Sequence, residues 1–60
     1  YNNHLRLAKE GDMVKFYINE NKQIGRINIR NFDNVQIKYT DNEDGIEKYH
    51  YCNITDTYPI

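Results

Sequence analysis

From Met13 onward, apolar and polar residues alternate with a period of two. Val14, Phe16 and Ile18 fall on one side, with Lys15, Tyr17 and Asn19 on the other, as a strand with one buried face requires. A polar stretch, Asn19-Glu20-Asn21-Lys22, reads as a loop. Ile24, Ile27 and Ile29 follow, and there the alternation slips by one residue around Gly25. A glycine at such a phase change predicts a bulge or sharp bend, with Ile27 and Ile29 turned inward beyond it. Asp33-Asn34 signals a turn, and Val35, Ile37 and Tyr39 make the clearest strand in the chain. Asp44-Gly45 signals another turn, because glycine accepts positive φ at little cost.

The returning strand spans Ile46 to Tyr51, and its register depends on the length of that turn. A tight two-residue turn sets Asp41 opposite Lys48 and brings His50 and Cys52 inward beside Tyr39 and Ile37. One extra residue brings Tyr49 and Tyr51 inward instead, since a single slip exchanges the faces. Tyr49 inward is the preferred expectation, because histidine is the poorer core residue. Asn53 to Ile60 reads as a short closing strand ended by Pro59. Residues 1–10 read as an N-terminal arm and residues 11–60 as the folded domain. Four to five short antiparallel strands in so few residues predict an all-β fold, closed as a small barrel that leaves no open sheet edge.

Sixty residues make one domain with a thin core. Isoleucine and the six tyrosines dominate the apolar set, which suits pleated, half-buried surfaces. Net charge is −1, which argues against a strongly electrostatic nucleic-acid binder. The single cysteine, Cys52, excludes an internal disulfide and fits a reducing compartment. No apolar run is long enough to span a membrane and no signal-peptide core is present. The expected setting is intracellular: nuclear if eukaryotic, cytoplasmic if bacterial or phage. The chain begins at Tyr1 rather than Met, which reads as a trimmed chain or a fragment of something longer.

Catalysis and metal chemistry have little to build on. His50-x-Cys52 and the distant His4 fall short of a tetrahedral zinc set. No orienting third group accompanies His50 and Cys52 as a nucleophilic pair. Three isolated glycines make no phosphate loop. The expectation is a binding module: no enzyme, no metal, no cofactor.

Gly11-Asp12-Met13-Val14, Gly25-Arg26-Ile27, Tyr39-Thr40-Asp41 and Cys52-Asn53-Ile54 occur in that order. Together they resemble the Tudor and related SH3-like barrels over roughly residues 11 to 56. The resemblance implies a peptide or protein tail as partner, methylated or not, with chromatin among the settings. It also implies an aromatic cage, in which ring faces attract a methylated cation. Tyr39 matches the ring ending strand three, and Tyr17 a second wall. The other two wall positions fall near Gln23 or Ile24 and near Ile46 or Glu47, which are not aromatic. Asp41, Glu43 and Asp44 beside that mouth suit a cationic ligand.

An alternative function rests on the opposite face. With Ile27 and Ile29 inward, Arg26, Asn28 and Arg30 share the outer side of strand two, alongside Lys38 and Gln36, and Lys15 and Tyr17. Such a face, with Lys15, Arg26, Arg30 and Lys38, suits phosphates and a stacked base, as in a small bacterial or phage SH3-like nucleic-acid binder. The plain alternative is a solvated sheet face, and a third is a barrel whose tyrosines meet a partner domain or another copy.

Overall fold

A computed structural model describes residues 8–60. Among them lie four strands: β1 (Met13–Ile18), β2 (Asn21–Asn31), β3 (Asn34–Thr40) and β4 (Glu47–Asn53). They form one antiparallel sheet in the order β1-β2-β3-β4. A 3₁₀ turn, Ile54–Asp56, follows β4. Asn53 caps that turn by accepting from the Thr55 N–H at 3.0 Å and from the Thr55 hydroxyl at 2.9 Å. No helix among the described residues is long and apolar enough to cross a membrane.

Turn chemistry sets the registers. Asn19 and Glu20 both take positive φ, 49° and 69°, which twists a two-residue turn to match its strands. The turn pairs Ile18 with Asn21 and draws Lys22 into β2, opposite Tyr17. Between β3 and β4, the Asp41 N–H donates to the Ile46 carbonyl at 3.0 Å. The connection is therefore a four-residue loop, Asn42 to Gly45, rather than the preferred turn with one extra residue. It is two residues longer than the tight alternative and so keeps the same faces. Carboxylates hold it: Asp41 accepts from the Glu43 N–H and Asp44 from the Ile46 N–H, each at 2.8 Å.

The loop length decides which side of β4 faces the core. Ile37 pairs with His50, and Val35 with Cys52. Tyr49 consequently points outward, half exposed, contrary to the expectation that placed it inside. His50 is accommodated because its ring stacks on Phe16 at 4.9 Å, with 10° between planes. Phe16 also meets Tyr39 edge-to-face at 5.0 Å. Around these rings pack Ala8, Val14, Ile27, Val35, Ile37 and Ile54, all buried.

Strand β2 corrects a second expectation. Its pairing with β1 runs unbroken through Gly25, which lies between Val14 and Tyr39 on the inner face. The slip occurs instead at Asn28: Ile27 pairs with Ile37, but Ile29 pairs with Gln36. Asn28 is the extra residue, a bulge that exchanges the faces downstream of it. Ile27 alone of the three isoleucines is buried, and Ile24 and Ile29 are exposed. Arg30 swings to the inner side opposite Val35. There its guanidinium donates to the carbonyls of Phe32, at 2.7 Å, and Ala8. It thus ties the β2–β3 hairpin to the segment before β1.

After the 3₁₀ turn the chain returns to the outer edge of β1. Tyr58 donates to the Lys15 carbonyl at 2.9 Å and accepts from the Lys15 N–H at 3.0 Å. This is an isolated bridge. The sheet is not closed, so the fully closed barrel expected from the strand count is not reached.

Candidate functional site

The outward face of the sheet follows from the ladder, because directly paired residues point to the same side. Met13, Arg26, Lys38 and Tyr49 form one row across all four strands. Beside it, Lys15 pairs with Ile24 on one side and with Tyr58 on the other. Tyr17 pairs with Lys22, and Ile29, Gln36 and Tyr51 make a further row. Met13, Ile24, Arg26, Lys38, Thr40 and Glu47 surround a shallow hollow in this face.

Charge is unevenly placed. Four cations, Lys15, Lys22, Arg26 and Lys38, occupy outward strand positions, where Glu47 is the one carboxylate among the described residues. Glu47 lies 3.6 Å from Lys38. An exposed pair of this kind is worth at most about 1 kcal/mol and is screened by salt, so it leaves Lys38 able to exchange partners. The remaining acids lie in turns, loops and the 3₁₀ turn. A chain of net charge −1 thus carries a cationic sheet face.

The tyrosines accompany those cations. Tyr17 and Tyr58 meet edge-to-face at 5.9 Å. Both are about half exposed, as is Tyr49, and Tyr51 more so. The Tyr51 hydroxyl accepts from Gln36, whose amide oxygen in turn accepts from Asn28 at 2.6 Å.

Lys15, Arg26 and Lys38 come together on this face as the sequence predicted, and Arg30 does not. Tyr17 and Tyr39 are not brought together either. Tyr17 points outward, whereas Tyr39 is buried with its ring against Phe16. They line no common mouth. Asp41 is also engaged, since Lys48 reaches its carboxylate at 3.1 Å and that of Asp44 at 2.9 Å. The Glu43 N–H and then Lys48 hold the Asp41 carboxyl below its usual range. Lys48 and then the Ile46 N–H do the same for Asp44. Those two carboxylates in turn raise Lys48.

Sequence reasoning missed Lys22, Tyr49, Tyr51 and Tyr58. A signal existed for Lys22: asparagine accepts left-handed backbone, so Asn19-Glu20 is a possible two-residue turn that makes Lys22 a strand residue. His50 and Cys52 share the inner face. Burial and then the charge of Asp56 push the Cys52 thiol up, which works against a reactive thiolate. Among the described residues no three potential ligand side chains cluster for a metal, and His4 lies outside those residues. The chain matches no protein-family model, no curated protein and no solved structure.

Proposed function

We propose that this chain is a non-enzymatic binding module whose outer sheet face holds a single strand of nucleic acid. The observation that carries this reading is the joint placement of four cations and exposed tyrosines on one face, with one carboxylate among them. Arg26 and Lys38 are directly paired across adjacent strands, with Cβ atoms about 5 Å apart by ladder geometry. Like charges directly opposite each other are destabilising, and phosphate between them relieves that repulsion. Tyr17, Tyr49 and Tyr58 offer ring surfaces to unpaired bases, which stack regardless of sequence. A duplex keeps its bases stacked inside, so a single strand makes better use of these rings.

The SH3-like, Tudor-type barrel belongs to the same proposal. Its support is the four-strand meander, the 3₁₀ turn after β4 and the return of Tyr58 onto β1. Binding of a peptide tail at Tyr17, Tyr39 and Asp41 has weaker support, because Tyr39 and Asp41 already have partners within the fold.

The test is fluorescence anisotropy of a labelled oligothymidine titrated with the full chain at several salt concentrations. Single-strand binding releases about 0.7 counterion per neutralised phosphate. Four phosphate contacts therefore give a log–log salt slope near −3. Replacing Arg26 and Lys38 together by alanine is expected to weaken binding at least about tenfold and flatten the slope by about 1.4. Both side chains are exposed, so the thermal transition should persist. Unchanged affinity in the double variant, or binding indifferent to salt, overturns the proposal.

A further inference from the structure

The two edges of the sheet differ. The outer edge of β1 is met by Tyr58, while the outer edge of β4 has no backbone partner among the described residues. Which groups β4 presents there follows from the ladder. Ile46 accepts from the Asp41 N–H at one end, and Ile54 donates to the Asp33 carbonyl at the other. In an antiparallel pair, hydrogen-bonded positions alternate, so Lys48, His50 and Cys52 aim their backbone groups at β3. Glu47, Tyr49, Tyr51 and Asn53 aim theirs away from the sheet.

Unpaired edges invite strand addition, and folded chains commonly blunt them with proline, a bulge or a projecting lysine. β4 contains no proline, and its register with β3 is continuous over all seven residues. Its one lysine, Lys48, is held by Asp41 and Asp44. Among the described residues, β4 therefore carries no proline, no bulge and no lysine free of a partner.

We infer that two copies of this chain join edge to edge through β4, antiparallel about a two-fold axis at His50. His50 is the midpoint of β4, so this register alone pairs the whole strand with itself. Tyr49 then lies opposite Tyr51 of the second copy, and Glu47 opposite Asn53. At Glu47, Tyr49 and Tyr51 both the N–H and the C=O point outward, whereas the Asn53 carbonyl accepts the first bond of the 3₁₀ turn. About six bonds across the seam result. Lys48 falls opposite Cys52, so no two lysines and no two acids oppose each other, and His50 meets His50 of the second copy across the axis. Each Tyr49–Tyr51 pair adds cross-strand aromatic contact on the outer face. The result is a closed, isologous dimer with one continuous eight-stranded sheet. Two-folds centred on Tyr49 or Tyr51 pair only five residues of the strand. The inference does not depend on nucleic-acid binding.

Sedimentation equilibrium of the full chain without nucleic acid, from micromolar to millimolar concentration, tests it. A monomer–dimer equilibrium is expected, with dimer growing as concentration rises. Register is read from two double variants at exposed positions. Tyr49→Lys with Tyr51→Glu sets Lys opposite Glu twice, whereas Tyr49→Lys with Tyr51→Lys sets Lys opposite Lys twice. The second should dissociate at least about tenfold more readily than the first, with circular dichroism checking that both stay folded. A monomer at every concentration overturns the inference, including one that dimerises only after residues 1–7 are removed or that accepts only a foreign strand. Equal dissociation constants for the two variants overturn the register.

Discussion

Phe16→Ala is expected to leave the chain without a cooperative unfolding transition. Phe16 is 1% exposed, and its ring is shared between Tyr39 and His50. Truncating a buried phenylalanine typically costs about 3–5 kcal/mol, the lost transfer energy plus the cavity left behind. A core in a chain this small rarely supplies more than about 3–5 kcal/mol in total. The substitution therefore removes most or all of the margin. It also strips His50 of the ring that makes it acceptable on the inner face. Tyr17→Ala provides the contrast, because Tyr17 lies on the outer face, half exposed, and surface substitutions usually stay within about 0.5 kcal/mol. Urea denaturation followed by circular dichroism separates the two. A cooperative transition for Phe16→Ala, within about 1 kcal/mol of the parent, contradicts this account of the core.

Gly25→Ala is the second large effect, and it separates two roles for that glycine. A methyl group there would sit 2.5 Å from Ile37 Cγ2, 2.8 Å from the Lys38 carbonyl oxygen and 2.9 Å from Tyr39 Cβ. The carbonyl belongs to the backbone of β3, and the strands can yield only by moving apart. Relief of glycine's entropic cost favours alanine by about 0.5–1 kcal/mol. Overpacking opposes it by about 1–3 kcal/mol or more. The clash wins, and a net loss of about 1–2 kcal/mol is expected in a urea titration. A stabilised variant contradicts the close approach of β2 and β3. The glycine is therefore a contact requirement, and the bend falls at Asn28.

These residues show how far the sequence was legible. β1 and β3 were readable because their alternation meets no interruption, and that alternation already set Tyr17 opposite in sense to Phe16. β2 was misread for a physical reason: a glycine that permits close packing breaks the apolar pattern just as a bulge glycine does. The true bulge, Asn28, carries no compositional mark, and it reversed the faces of Ile29 and Arg30. In β4, hydrophobicity ranked Tyr49 above His50 for the interior, but loop length decided the register. That length depends on carboxylates of Asp41 and Asp44 bonding backbone N–H groups and gripping Lys48, a combination that no turn dipeptide announces. Hence Lys15, Arg26 and Lys38 were visible as a group, while Tyr49, Tyr51 and Tyr58 joined them only once the register and the return of the chain onto β1 were known.

The most direct measurement is an NMR titration of the full, isotope-labelled chain with oligothymidine, following tyrosine ring signals and backbone amides together. The outer-face account predicts the largest shifts at the Tyr17 and Tyr49 rings and at the Lys15, Ile24, Arg26 and Lys38 amides, with the Tyr39 ring and the Asn42 to Gly45 loop nearly still. Shifts centred on Tyr39 and that loop, or no shifts at low salt, would contradict it.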